Sequence, residues 1–232
     1  MVLENALAAV HNGATLITYA RVNQCVIQDG RVSGIEVANQ ITGGDQRFTA
    51  RMLLNAAGPW VDEVLNEGAP DTKRLIGGTK GSHLIVGRFK GGPKTAIYVE
   101  AESDRRPFFI IPWNNHYLIG TTDTRFDGNP DNVQITDEEI DYLLRETNRV
   151  MPDATLRREH ILYTYSGVRP LPFTREANEQ RITRRHFIRQ HPRFENLLSI
   201  VGGKLTTYRS LSEEVVDHVF NKLAGRSPKC TT

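Results

Sequence analysis

The densest chemistry in the sequence lies in Leu197–Arg209, LLSIVGGKLTTYR. An apolar strand runs into two glycines, and a helix starts at the following lysine. Amide N–H groups at a helix N-terminus point outward, backed by about half a positive charge. Glycines let a ligand approach the main chain closely. Such a turn suits a phosphate, a carboxylate or the electron-rich edge of a reduced flavin. An ordinary strand-to-helix turn with a solvated lysine fits the same residues. A P-loop is excluded: Leu205 stands where Ser or Thr is required, and Leu198 occupies the first glycine position.

Four other stretches hold polar groups beside apolar strands. In Tyr165–Pro170, YSGVRP, Arg169 precedes a proline on an otherwise buried strand. There it would present a fixed fork to a carboxylate or phosphate, or form a structural ion pair. Lys80-Gly81-Ser82-His83 leads into Leu84-Ile85-Val86, and a lone histidine at a strand start is usually structural or solvent-exposed. Gly120-Thr121-Thr122-Asp123 closes an apolar strand, where an aspartate commonly forms a turn. Asn55–Trp60, NAAGPW, packs small residues before a proline suited to a first helical position. Arg181, Arg184, Arg185 and Arg189 read as the solvated face of a strand. His160, His186, His191 and His218 have no metal-ligand spacing, and no metal site is expected.

The elements that must position these groups follow from periodicity. Val2, Leu3, Ala6, Leu7 and Val10 recur at helical spacing before an Asn12-Gly13 stop. No capping residue precedes them, so Met1 is expected to lie within a helix of a longer parent chain. Thr15–Ile27 and Arg31–Ala38 flank Asp29-Gly30 as a hairpin, and Gln46–Asn55 reads as one further strand. From about Asp71 the short strands His83–Val86, Thr95–Val99, Phe108–Pro112 and His116–Gly120 suit an antiparallel sheet. Thr136 and Glu139 form a capping box for a helix over Thr136–Met151, buried through Ile140, Leu143, Leu144, Thr147 and Met151. Strands return at His160–Val168, Ile182–Gln190 and Leu197–Val201, before a final amphipathic helix carrying Leu211, Val215 and Val219.

Composition sets the bounds. The 232 residues are 39% hydrophobic and 24% charged, enough to bury a core. With 29 basic and 27 acidic residues the net charge is +2, which gives no reason to expect a nucleic-acid partner. Cys25 and Cys230 are far apart, which excludes a cysteine-built zinc site or disulfide scaffold and fits a reducing compartment. No apolar run approaches the roughly 20 residues a membrane helix needs.

In this order, NAAGPW, KGSH, IIPW…IGTTD, YSGVRPL and GGKLTTYR resemble one family. The chain is similar to the FAD-dependent glycerol-3-phosphate dehydrogenases, within the D-amino-acid-oxidase-like flavoproteins. The resemblance runs from the Val2–Asn12 helix to the C-terminal helix. Three features of the family are not found: the G-x-G-x-x-G unit that holds the FAD pyrophosphate, the arginine-bearing segment after it, and the helical domain that follows the core. The chain thus resembles the central part of such an enzyme. Ala57 also replaces the threonine that many relatives carry.

The resemblance implies an α/β fold of mixed α+β character. A partial FAD-binding domain, residues 1–70 and 193–232, would interleave with an antiparallel substrate domain, residues 71–192. The implied reaction is oxidation of sn-glycerol 3-phosphate at C2 to dihydroxyacetone phosphate, with FAD as cofactor and a membrane quinone, or oxygen, as acceptor. That places the protein in the cytoplasm, with peripheral membrane contact left open. By matching motifs, Arg169 and Lys204 would bind the substrate phosphate, and His83 or Asp123 would take or relay the hydroxyl proton, His83 being preferred. Gly203, Lys204, Leu205 and Thr206 would line the flavin pyrimidine edge. Ala57 and Gly58 would approach the flavin from the other side, and Arg21 and Val22 would run beside the adenosine half. Taken alone, the chain is expected to bind FAD poorly and not to turn over. The competing readings are an oxidase of an amino or hydroxy acid, with Arg169 on a carboxylate, and a non-redox module that binds glycerol phosphate.

Overall fold

The computed structural model describes residues 1–68, 73–174, 182–223 and 225. It opens with helix α1, Val2–His11, none of whose residues is buried. The Asn12 amide donates back to the Ala8 carbonyl at 2.8 Å, and Gly13 takes a φ of +92°. These two residues end the helix where the sequence predicts.

Strands β1, Ala20–Gln28, and β2, Arg31–Asn39, form the expected hairpin. Asp29 and Gly30 both have positive φ, as a tight hairpin turn requires. The first strand starts five residues later than expected, after Tyr19, whose left-handed backbone interrupts the extended chain. The expected strand Gln46–Asn55 is divided. Its first part, β3 (Asp45–Thr49), pairs with β2. Its second part, β4 (Leu53–Asn55), crosses to a different sheet. A short 3₁₀ turn, Gly58–Trp60, then leads into α2, Val61–Gly68, so Pro59 begins a 3₁₀ turn instead of the α-helix itself.

The middle of the chain is one antiparallel sheet. Its strands are β5 (Thr79–Gly87), β6 (Ile97–Glu100), β7 (Pro107–Trp113), β8 (His116–Gly120) and the two-residue β9 (Thr124–Arg125). After helix α3, Asp137–Val150, comes β10, Ile161–Arg169. The order is β10-β5-β8-β7-β6, with β9 paired to the start of β5. Helix α3 carries the expected capping box, the Glu139 amide donating to Thr136 and the Glu139 carboxylate accepting from the Thr136 amide. It covers one face of the sheet, where Leu84, Val86, Phe108, Ile110, Ile119 and Leu143 form a buried cluster.

The chain returns through β11, His186–Gln190, and β12, Leu197–Gly202. Strand β12 lies antiparallel to β11 and parallel to β4. Although β11 falls within the expected middle segment, it is hydrogen-bonded into this other sheet. A second core of Val32, Val61, Leu65, Phe194, Leu197 and Val201 lies here and includes Cys25, a free buried thiol. Cys230 and Arg181 lie outside the described residues. The last helix, α4 (Tyr208–Lys222), buries only Val215. Among the described residues no helix is long and apolar enough to cross a membrane.

Candidate functional site

The site grows from the pairing of β5 with β10. Along β5, side chains alternate between the two faces of the sheet. Lys80, Ser82, Leu84 and Val86 turn toward α3, whereas Gly81 and His83 point to the opposite face. The register sets His83 against Tyr165, Gly81 against Gly167 and Thr79 against Arg169.

Arg169 reaches across this open face. One nitrogen, Nη1, contacts Asp123 Oδ1 at 3.0 Å. The other, Nη2, donates to the Thr121 hydroxyl at 3.1 Å and the Thr122 carbonyl at 3.2 Å. A Cβ on Gly81 would collide with both the guanidinium and the Thr121 hydroxyl, so this glycine is the space that Arg169 occupies. The Asp123 carboxylate also faces Arg184, whose Nη2 lies 3.6 Å from Oδ2. Burial makes the Arg169 proton easier to lose, Asp123 opposes that, and Arg184 and Arg106 add to it. A guanidinium keeps its charge under such pressure. Two guanidiniums, Arg169 and Arg184, therefore share the one Asp123 carboxylate, which favours an incoming anion.

His83 stacks on Tyr165, with ring centroids 4.7 Å apart and planes 11° from parallel. Its Nδ1 is buried and has no hydrogen-bond partner among the described residues. Burial lowers its pKa, and the Arg169 charge lowers it further. The ring is therefore held neutral, with a lone pair available on one nitrogen. Gly120 lies so near that a Cβ there would press on the imidazole.

On the other face of the sheet, Glu139 is 5% exposed and fully engaged. Lys80 Nζ lies 2.7 Å from Oε2, which also accepts from the Thr136 amide at 2.9 Å. The other oxygen, Oε1, accepts from Thr122 at 2.6 Å and Ser82 at 3.0 Å. Burial alone would raise the Glu139 pKa. The hydrogen bonds from Lys80, Thr122, Thr136 and Ser82 outweigh it and hold the pKa below the usual carboxylate value.

A second group forms where β4 and β12 end. Gly202 and Gly203 have φ of +78° and +93°, and Lys204 begins the 3₁₀ turn Leu205–Thr207 that leads into α4. Lys204, Leu205 and Thr206 are exposed. The Gly202 amide donates to the Pro170 carbonyl at 2.9 Å, which ties the twin-glycine turn to the residue after Arg169. The 3₁₀ turn Gly58–Trp60 lies against both β10 and β12. It is shaped by Asn55, whose buried side chain accepts from the Ala57 amide and donates to the Val61 carbonyl. Trp60 Nε1 donates to Asp131 at 2.9 Å, joining this turn to the antiparallel layer. Arg21, Val22, Ala57 and Trp60 line one cavity of about 330 Å³, and Arg21 pairs with Glu63 at 3.0 Å. A larger cavity of about 630 Å³, by Asp62, Arg74 and Phe126, contains none of the candidate residues.

Sequence reasoning placed His83, Asp123 and Arg169 separately, and the structure brings them to one corner. It also sets Arg21, Val22 and Ala57 around one cavity. Tyr165, Thr121 and Gly81 lay inside quoted motifs without being singled out. Arg184, expected on a solvated strand face, precedes β11 and turns to Asp123.

Residues 1–209 match the family described as FAD dependent oxidoreductase. The chain belongs to this family. It is 46% identical over 244 residues to glycerol-3-phosphate dehydrogenase of Synechocystis sp., covering 99% of this chain and 44% of that protein. It is 36% identical over 231 residues to D-erythritol 1-phosphate dehydrogenase of Brucella abortus, covering 97% of this chain and 45% of that one. Among solved structures, glycerol-3-phosphate dehydrogenase of Bacillus halodurans complexed with FAD superposes with a TM-score of 0.84 at 32% identity. The match covers 96% of this chain and 42% of that protein. The chain thus spans less than half the length of these relatives, and the mixed α/β architecture is that of FAD dependent oxidoreductases.

Proposed function

We propose that this chain carries the substrate side and one flavin-facing edge of an FAD-dependent enzyme that oxidises sn-glycerol 3-phosphate to dihydroxyacetone phosphate. The carrying observation is the corner where a guanidinium, fixed by Asp123, Thr121 and the Thr122 carbonyl, shares one sheet face with the His83 imidazole, whose pKa is lowered by burial and by the Arg169 charge. Of the five guanidinium N–H groups, Asp123, Thr121 and Thr122 take three, and a terminal phosphate would accept charge-assisted hydrogen bonds from the two that remain. With the phosphate on Arg169, and Lys204 as a second cation, the C2 hydroxyl is offered to His83, which takes its proton. Asp123 keeps Arg169 in place and is the alternative proton relay. Bound FAD supplies the two-electron acceptor for the C2 hydride.

The chain's residues fit that cofactor. Gly202 and Gly203 turn the chain with positive φ and lead straight to Lys204, Leu205 and Thr206, which are exposed. Gly203, Lys204, Leu205 and Thr206 would line the pyrimidine edge, with Ala57 and Gly58 on the other side. The cavity beside Arg21 and Val22 would take the adenosine half. The named relatives support a phosphorylated polyol over an amino acid. Transfer of electrons to a quinone at a membrane surface, from a cytoplasmic protein, is the corresponding proposal for the acceptor.

A chimaera provides the test. This chain replaces the matching segment of the Synechocystis enzyme, and dye reduction is followed with sn-glycerol 3-phosphate. Activity is expected, with a loss of about 100-fold or more in Arg169→Ala as two charge-assisted hydrogen bonds vanish. A comparable loss is expected in Gly81→Ala, which crowds the same guanidinium. A folded, FAD-loaded chimaera that reduces no dye with this substrate, or prefers an amino acid, would refute the reading.

A further inference from the structure

Helix α3 lies on the face of the sheet away from Arg169, yet one of its side chains is linked to that arginine by an unbroken path. Glu139 Oε1 accepts from the Thr122 hydroxyl at 2.6 Å. That hydroxyl also accepts from the Ser82 amide at 2.9 Å, so Thr122 is held from two sides. The carbonyl of the same residue accepts from Arg169 Nη2, and its neighbours Thr121 and Asp123 supply the remaining Arg169 partners. All three anchors of the guanidinium therefore sit on one tripeptide, pinned at its middle residue.

Helix capping alone does not account for the Glu139 arrangement. Capping uses one oxygen, Oε2, through the Thr136 amide. The other oxygen is committed to Thr122 and Ser82, and Ser82 passes the contact on to Ser166 of β10 at 2.8 Å. A buried carboxylate costs several kcal/mol to desolvate unless fully paired. Lys80, itself buried and also donating to the Gln134 carbonyl at 2.7 Å, supplies that pairing. The site thus keeps a charged pair beneath the sheet, directly under the segment that grips Arg169.

We infer that Glu139 is a positioning residue: acting through Thr122, it fixes the Thr121–Asp123 segment and with it the orientation of the Arg169 guanidinium. The further claim that this orientation serves a phosphate rests on the function proposed above. It predicts that anion affinity depends on a helix that never meets the ligand.

The test uses the full 232-residue chain and the side-chain ¹⁵N spectrum of Arg169, assigned by its disappearance in Arg169→Lys. Rotation about the Cζ–Nη bonds reports how firmly the guanidinium is held. Loosened hydrogen bonds to the charged group should speed that rotation about tenfold in Glu139→Gln and in Thr122→Val. Thr122→Ser, which keeps the hydroxyl, should restore the slow rotation. Should Glu139→Gln fail to fold, the Thr122→Val and Thr122→Ser pair decides the matter, since both keep the Lys80–Glu139 pair. Folded variants whose Arg169 rotation matches the wild type within twofold would overturn the inference and leave Glu139 as a helix cap. Titration with sn-glycerol 3-phosphate separates the two claims. An FAD-loaded chimaera whose Arg169 signals ignore this ligand counts against the functional reading, while the rotation rates of the 232-residue chain still decide the role of Glu139.

Discussion

Two influences hold the His83 pKa below that of a free imidazole: burial first, then the Arg169 guanidinium. Tyr165, the ring partner, brings no charge at neutral pH, its own pKa being raised by burial. An unfolded histidine takes up its proton at about pH 6.5, and the folded one does so only at lower pH. Between those points the unfolded chain binds more protons, so stability increases with pH. The His83 contribution is complete above the unfolded pKa and lost as pH falls through the folded one. The two causes separate by substitution. In Arg169→Gln the repulsion goes but the burial stays. The His83 midpoint, read by ¹³C-edited NMR, should rise and still fall short of the free value. A midpoint that stays fixed or moves downward would mean that the arginine does not act on the imidazole. The same experiment tests the chemistry, because only an unprotonated ring can accept the C2 hydroxyl proton.

At the scale of elements, the twin-glycine turn makes unequal demands on its two residues. Both have positive φ, which costs a side-chain-bearing residue about 1–2 kcal/mol. At Gly202 a Cβ would also strike the Arg185 carbonyl, a backbone atom that cannot swing aside. At Gly203 the nearest atom, His186 Cβ, is 3.4 Å away. Urea unfolding should therefore show Gly202→Ala losing roughly 2–3 kcal/mol and Gly203→Ala only about 1. Equal losses would show that backbone strain alone sets the cost. This turn was legible in the sequence because two glycines after an apolar strand leave few alternatives. So were α3, announced by Thr136 and Glu139 at one end and its apolar stripe along its length, and the Asp29-Gly30 hairpin. The division of Gln46–Asn55 was not legible. Both halves favour extended chain, and what draws Leu53–Asn55 away is its parallel pairing with Leu197–Ser199, far along the chain. Strand β5 was expected from His83 but begins at Thr79, because Lys80 and Ser82 are buried by the Glu139 carboxylate. A pattern of apolar residues does not register polar burial. Arg184 escaped for a related reason: its role depends on Asp123, some sixty residues earlier, and not on its arginine-rich neighbours.

Across the whole molecule, two cores differ in how the chain builds them. The cluster of Leu84, Val86, Phe108, Ile110, Ile119 and Leu143 comes from one continuous stretch, as do the helix and sheet around it. The other joins Val61 and Leu65 near the start to Phe194, Leu197 and Val201 near the end. Its parallel β4–β12 pairing likewise closes a long loop, and such contacts form only after a large entropy cost. Hydrogen bonds such as Trp60 to Asp131 then join the two parts: the Arg169 corner lies within the continuous one, and the twin-glycine turn and the cavity beside Arg21 belong to the discontinuous one. It follows that the pieces of a cut chain should not behave alike. A fragment of residues 73–174 holds its entire core and the β5–β10 pairing, and should show a cooperative thermal transition by circular dichroism. A fragment of residues 1–70 leaves Val61 and Leu65 without Phe194, Leu197 and Val201 and should melt without one, retaining at most the β1–β2–β3 sheet. Adding residues 182–232 in trans should restore a transition to the 1–70 piece if the β4–β12 pairing is what it lacks. A cooperative transition in 1–70 alone would place its stability inside the hairpin sheet and contradict the discontinuous core.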